Sequence, residues 1–381
     1  MEFNPKIIKS LLKKLKETNL PFYIYDTLSI KNNCQSILSI PYKNKAVHFA
    51  SMANSSPKYI KIVKQCGLNI FVNSVPHLRL AQKLGYKNRT IVYTSSGMDL
   101  PTMKLVNESR ALVNLDSVNQ VKLWQKNFKN KKFGIRYNIA GVVEPKSTRA
   151  GYFIGKNSRL GLTFDEIKSL ENKHLVYGLH LYVGTDLYDV EYFMACYKAL
   201  AEVGKYFPGL NYLDFGGGFG INDSDGKMFS FKEYGEMITE LMDFYSKEHK
   251  KVLKLILEPG RIIGGNAGYF VCKVTDIKHR NNTQLVGVNA SSVQFPRPLF
   301  YPDDSYHPIQ VVGKSKNIKF NNKMSTSVTG CSTYSRDYLA TNQNLPEIDI
   351  GDVLVFGNAG SYCASSFTNF LGFPKPKEYF V

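Results

Sequence analysis

The sequence predicts an α/β protein, a (β/α)8 TIM-type barrel followed by a smaller C-terminal all-β domain. Three observations predict it. The chain has 381 residues, too many for one ordinary small domain and enough for one large barrel or two domains. Between Ala46 and Gly260, eight short apolar, β-branched or aromatic runs alternate with polar stretches of helical character. Strands buried on both faces and separated by helices pair in parallel, and eight such units close into a barrel. Beyond about Gly265 the helical periodicity stops and strand-like runs with turns continue. The predicted boundaries are a barrel over 27–262, with 1–26 and 263–381 forming a β-sandwich or barrel-like domain.

In chain order, the start MEFNPKIIKSLLKKLKETN carries charges throughout and lacks the apolar segment of a secretory signal. Ile7, Ile8, Leu11, Leu12 and Leu15 fall at helical spacing and predict an amphipathic helix packed on the body. FYIYD (22–26) precedes the barrel. The barrel runs are AVHFA (46–50), NIFVN (69–73), TIVYT (90–94), ALVNL (111–115), FGIRYN (133–138), GLHLYV (178–183), YLDFGG (212–217) and KLILEPG (254–260). Helices are predicted at Pro57 to Gln65, Asp189 to Tyr206 and Phe231 to Glu248. A doubly wound open sheet is the competing arrangement, but no GxGxxG follows the first strand, so its dinucleotide-binding version lacks support. The later domain is read from GYFVCKVTDIKH, TQLVGVNAS, HPIQVVG, NIKFN, STSVTG and DVLVFGN.

Composition excludes several classes. Hydrophobic residues at 43% and charged residues at 21% exclude global disorder and fibrous repeats. No apolar stretch reaches the roughly 18 residues of a membrane span, so no membrane association and a cytoplasmic address are expected. The cysteines at 34, 66, 196, 272, 331 and 363 form no CxxC pair, and the histidines are scattered, so neither a disulfide framework nor a metal site is expected. The net charge of +18 raises nucleic acid as a partner. The lysines are spread along the chain, densest at Lys13 to Lys16 and Lys126 to Lys132, and read as solvated surface rather than a nucleic-acid-binding arm.

Reactive groups of such a barrel gather where the strands end, because the βα loops form its open face. The seventh run ends in Asp214-Phe215-Gly216-Gly217-Gly218. Consecutive glycines present backbone N–H groups at close approach, which suits a phosphate; a tight turn is the alternative. The eighth ends in Glu258-Pro259-Gly260-Arg261. A carboxylate leaving an apolar strand needs a cationic ligand or an ion pair, here with Arg261. The sixth offers His180, Tyr182, Gly184 and Thr185, and the fifth carries Arg136. A planar, cationic, phosphorylated ring would use all of these, and pyridoxal 5'-phosphate fits.

With these residues in view, the chain resembles the fold-type III pyridoxal-phosphate decarboxylases, the diaminopimelate and ornithine decarboxylase family related to alanine racemase. LDFGGGFG (213–220) is similar to the family's phosphate-binding loop, EPGR (258–261) to its pyridinium-binding segment, and GLHLYVGTD (178–186) to its G-x-H-x-H-[IV]-G-S segment. RPLFY with HPI (297–301, 307–309), GCSTYSRD (330–337) and 359–381 resemble elements that grip substrate and complete a partner subunit's site. The resemblance implies that Gly216, Gly217, Gly218, Arg261, Thr185 and Tyr362 hold phosphate. It implies that Glu258 pairs with the ring nitrogen, Arg136 supports the network and Tyr182 stacks on the ring. Arg297, Tyr301 and Asp337 would meet substrate, and Cys331 would come from the second chain of a homodimer.

Three departures matter. The family's lysine, which links covalently to the cofactor in an A-x-K-A-N setting, is Met52 in Ala50-Ser51-Met52-Ala53-Asn54. Methionine can neither form that link nor carry a proton. Three explanations stand: a natural inactive or repurposed protein, an engineered trap, or chemistry carried by another group. Tyr182 replaces the usual stacking histidine. Cys331 to Asp337 is two residues longer than the family's Cys-Glu-Ser-Gly-Asp element and lacks its glutamate, which disfavours diaminopimelate itself. The expectation is a decarboxylase acting on a diamino acid or amino-acid conjugate in a siderophore, polyamine or lysine-type pathway, inactive in this Met52 form if the lysine is required. The alternative is a non-catalytic protein binding pyridoxal phosphate or its amino-acid adduct.

Overall fold

The computed structural model describes residues 7, 10, 11, 13–15, 21–146, 151–221, 229–302, 305–312 and 323–381. Ile8, Leu12 and the run NIKFN lie outside them. The described chain divides into two compact units, 31–263 and 1–30 with 264–381.

In the first unit, eight parallel strands close on themselves. They are β2 (Lys45–Ala50), β3 (Asn69–Val72), β4 (Ile91–Thr94), β5 (Leu112–Leu115), β6 (Phe133–Arg136), β7 (Val176–His180), β8 (Tyr212–Asp214) and β9 (Lys254–Leu257). β9 pairs back onto β2, with Ala46 opposite Ile256, so the open-sheet alternative is excluded. The helices Pro57–Gln65 and Phe231–Glu248 have the predicted bounds. The first buries Tyr59, Ile60, Ile62 and Val63. The second buries Tyr234, Ile238, Met242 and Tyr245, one stripe at helical spacing, and Ser230 caps it by accepting from the Glu233 N–H.

Tyr212 lies across the barrel interior. A Cβ at Gly134 on β6 or Gly178 on β7 would fall inside the Tyr212 side chain, so these two glycines make the room for it. Its hydroxyl donates to Asn114 Oδ1 at 2.7 Å, and Asn114 Nδ2 donates to Thr94 Oγ1 at 3.1 Å. The buried polar string is therefore satisfied at each step.

The second unit is an eight-stranded sheet built around β10 (Gly268–Arg280). β10 pairs antiparallel with β1 (Phe22–Tyr25), β11 (Thr283–Val288) and β15 (Val353–Phe356). β12 (Ile309–Val312) extends one side, and β13 (Lys323–Thr329) and β14 (Tyr338–Pro346) the other. β16 (Lys377–Phe380) pairs in parallel with β1, so both chain ends contribute. Helical residues Ile7 and Leu11 are buried against Phe22, Ile24, Val271 and Val355, with Leu15 packed on that cluster, as the apolar spacing predicts. β14 and β16 are absent from the sequence reading. Among the β14 residues only Leu339 and Leu345 are buried, too few to give an alternating pattern.

Candidate active site

The strands predicted as GLHLYV and YLDFGG end earlier than the apolar runs, at His180 and Asp214. Their last residues leave the pleat while keeping backbone bonds. The Leu181 N–H donates to Asp214 O (2.8 Å), the Phe215 N–H to Ile256 O (3.0 Å) and the Glu258 N–H to Gly216 O (2.6 Å). Three strand ends are thereby locked around the glycine loop. Gly216 and Gly218 have φ of +63° and +104°, conformations that cost any other residue. Phe215 stacks on Tyr197 at 4.1 Å and Phe219 packs on Phe193 and Tyr234, fixing the loop on both sides.

Beneath the loop lies a buried charge cluster. His180 Nε2 is 3.3 Å from Glu258 Oε2, and ligating atoms of His180, Asp214 and Glu258 all lie within 4.8 Å of one another. Asp214 Oδ1 accepts from the Gly216 N–H at 3.1 Å. Asp214 Oδ2 and Glu258 Oε1 are buried and meet no donor among the described residues when both groups are taken as carboxylates. Two carboxylates side by side out of water do not both ionise, and one proton between them turns two orphaned acceptors into a hydrogen bond. The energetics agree. Burial, with the Glu258 charge beside it, holds Asp214 well above the carboxylate range. Burial pushes Glu258 up to about 8, against the opposing effects of the Asp214 hydrogen bond and Arg136. Burial holds His180 down to about 4, so its ring is neutral at neutral pH.

Arg136, at the end of β6, stands 3.9 Å from Asp116 Oδ1 and faces Glu258 and Tyr182 electrostatically. Tyr182 meets Phe153 edge to face, with centroids 4.9 Å apart. Thr185 follows on the same rim, half-buried. Arg261 departs from the Glu258 ion pair weighed above: its Nε donates to Asp186 Oδ1 at 2.6 Å. Met52 is half-buried in the turn after β2. That turn is held by the Ala50 N–H on Pro259 O (2.9 Å), the Ser51 N–H on Phe71 O (3.0 Å) and the Ala53 N–H on Ala50 O (3.0 Å). Lys45 stands at the other end of β2 and Lys58 is exposed on the next helix.

In the second unit, buried Arg297 opens the short helix Arg297–Phe300 and its guanidinium lies 5.2 Å over the Tyr301 ring. Cys331 is an exposed free thiol. Tyr362 has a left-handed backbone, φ +57°. Asp337, expected to meet substrate, has both of its oxygens engaged within the chain. One oxygen accepts from Ser291 Oγ (3.0 Å) and the Ser292 N–H (2.6 Å), the other from the N–H and hydroxyl of Ser332 (3.0 and 2.5 Å). Burial works against its charge, but these bonds hold it below the usual carboxylate range. Asp337 is a loop clamp with both oxygens engaged.

Sequence reasoning missed Asp214, Asp116 and Phe153. For Asp214 a signal existed: a carboxylate closing a strand buried on both faces, next to glycines and with no basic neighbour. Asp116 and Phe153 carry no local signal. The spacing also gave no hint of the His180, Asp214 and Glu258 cluster, whose members come from three strand ends.

The donor set fits a cationic, phosphorylated pyridine ring. A buried Glu258 carboxylate bonded to Asp214 and His180 keeps lone pairs that suit a cationic N–H. The comparisons with known proteins point the same way. A diaminopimelate decarboxylase of Methanothermobacter thermautotrophicus is 27% identical over 96% of this chain and 87% of that protein. The 2-[(L-alanin-3-ylcarbamoyl)methyl]-2-hydroxybutanedioate decarboxylase of Staphylococcus aureus is 24% identical over 99% of this chain and 98% of that protein. Among solved structures, diaminopimelate decarboxylase of Helicobacter pylori complexed with L-lysine superimposes with a TM-score of 0.86 at 21% identity, covering 97% of this chain and 94% of that one. The profile described as "Pyridoxal-dependent decarboxylase, pyridoxal binding domain" matches residues 29–265, and the chain belongs to that family of pyridoxal-phosphate-dependent carboxy-lyases.

Proposed function

We propose that this chain holds pyridoxal phosphate at the C-terminal mouth of its barrel and derives from a decarboxylase of a diamino acid or amino-acid conjugate, with turnover withheld by Met52. The observation that carries the reading is the Asp214–Glu258–His180 cluster, a costly buried arrangement that a cationic ring repays. When bound, the cofactor supplies an electron sink for the bond that breaks at the substrate's α-carbon. The chain's own residues do the rest. Asp214 keeps its proton and donates to Glu258, so Glu258 is ionised where the ring nitrogen presents its N–H. Neutral His180 holds the other Glu258 oxygen. The glycine-loop amides, Thr185, Arg261 and Tyr362 hold phosphate, and Arg136 and Tyr182 close the ring site. Arg297 and Tyr301 receive the substrate carboxylate. Met52 offers no nitrogen for a covalent link and no site for a proton.

The Staphylococcus aureus relative acts, by its name, on an amino acid carried in a larger carboxylate. That supports a conjugate, of the siderophore kind, over free diaminopimelate. We further infer a homodimer acting in the cytoplasm. The alternative, a non-catalytic binder of pyridoxal phosphate or its amino-acid adduct, keeps the same site.

Absorption spectroscopy with added pyridoxal phosphate tests the reading. The Met52 protein should bind reversibly, without the long-wavelength band of a lysine-linked cofactor, and Met52→Lys should acquire that band. Absence of binding to either form at millimolar cofactor would sink the proposal. Turnover by the Met52 protein equal to that of Met52→Lys would remove the role given to Met52.

A further inference from the structure

At the opposite end of the barrel, the N-terminal ends of β3 to β9 surround a cavity of about 800 Å3. Six of its lining residues are cationic: Lys87, Arg89, Arg110, Lys131, Lys132 and Lys254. None of the lining residues is acidic. An even spread of 49 Lys and Arg over 381 residues would put about two in a lining of this size. The cations are scattered in sequence and converge only because each precedes or opens a strand: β4, β5, β6 or β9.

Lys87, Arg89, Arg110, Lys131 and Lys132 are exposed around the mouth of the cavity, where solvent and a ligand both reach them. Arg89 donates to the Tyr177 hydroxyl at 3.1 Å with its guanidinium 5.2 Å from the ring centroid, and the Lys132 ammonium lies 5.1 Å from the same centroid. Two like charges share one ring, and among the described residues no carboxylate pairs with either. Tyr212 and Gly134 lie deeper, and Lys254 is half-buried. Arg110 caps the helix Leu100–Ser109 in the left-handed region, φ 56°, where glycine is the usual residue. The chain keeps an arginine there despite the backbone cost. A cleft lined by one sign of charge concentrates counter-ions, and arginine forks match phosphate and carboxylate oxygens. The volume falls in the range of small-molecule sites.

We propose that this cavity is a second ligand site, separate from the cofactor site, for a small polyanion carrying clustered phosphates or carboxylates. Calorimetry at low ionic strength tests it, with tripolyphosphate and citrate as separate probes. Saturable one-to-one binding is expected, and the tighter probe identifies the phosphate or carboxylate source. The Arg89→Gln/Lys132→Gln double variant should weaken binding at least tenfold. Lys61→Gln/Lys198→Gln, the same charge change at exposed helix positions outside the cavity, should leave it within twofold. The cavity variant should melt no lower than the parent at low salt, because removing paired like charges relieves repulsion. If it misfolds, Arg110→Gln/Lys131→Gln replaces it with the same expectation. Equal weakening in cavity and control variants, no saturable binding by ten millimolar, or binding to long nucleic acid alone would each overturn the proposal.

Discussion

Glu258 and Asp214 make the interior of this barrel sensitive to pH. Without cofactor, burial raises Glu258 to about 8, whereas an unfolded chain loses that proton near the ordinary value of about 4.5. Between those values the folded state binds more protons, so the stability of the cofactor-free protein falls as pH rises through the window and levels above it. Asp214, raised in the same direction, adds to the slope. The melting temperature measured from pH 5 to 9 should therefore decline by several degrees. Glu258→Gln should flatten the decline, and Glu258→Gln/Asp214→Asn flatten it further. An unchanged slope in the double variant would exclude the pair as its source. Asp214→Asn keeps an N–H donor toward Glu258 and should retain the cofactor. Asp214→Ala leaves a buried carboxylate with one fewer partner and should weaken binding by about 1.5–3 kcal/mol, tenfold or more in Kd. Of the buried cluster, Glu258 and Arg136 were legible in the sequence, because each breaks the pattern of an apolar strand. The shared proton was not, because it depends on two strand ends far apart in the chain coming within a few ångströms.

At the scale of elements, the barrel was legible wherever both faces of a strand are apolar, and its strand ends were not. Leu181 and Phe215 continue the apolar runs but serve as the lock around the glycine loop, so periodicity carries on where the pleat stops. The same lock changes how a loop substitution acts. A Cβ at Gly217 would strike the Glu258 carbonyl. Gly217→Val should therefore displace the end of β9 and cost stability as well as phosphate binding, which differs from the purely local block that the motif suggests. Gly178→Ala places a methyl inside the Tyr212 ring and should destabilise the barrel by about 1–3 kcal/mol or more, read as a shifted denaturation midpoint. The Arg261–Asp186 pair gives a contrasting case. A carboxylate on an arginine expected to hold phosphate competes with the phosphate. Asp186→Asn should strengthen retention of pyridoxal phosphate, measured by equilibrium dialysis, and unchanged or weaker retention would mean that Arg261 is not a phosphate ligand.

For the whole molecule, the proposed dimer gives the exposed Cys331 a purpose. Asp337 holds the ends of the 330–337 segment through Ser291, Ser292 and Ser332, so the segment is a preset surface feature rather than a loose loop. If it completes a neighbour's site, two chains each missing a different part should restore one another. The parent chain carries Cys331 and lacks the amine at position 52. The Met52→Lys/Cys331→Ala chain carries the amine and lacks the thiol. Random mixing gives about half mixed dimers, each with one complete site, so activity should rise toward about a quarter of that of the Met52→Lys homodimer. The assay uses whichever diamino acid that homodimer decarboxylates. Sites contained within single chains would give no gain on mixing, and sedimentation as a monomer at micromolar concentration would remove the dimer altogether. Charge sets the conditions. Two chains of net charge +18 repel each other, so association should tighten as salt rises to physiological strength, opposite to the weakening expected for the polyanion in the basal cavity. The opposed salt responses let one titration series distinguish the two events.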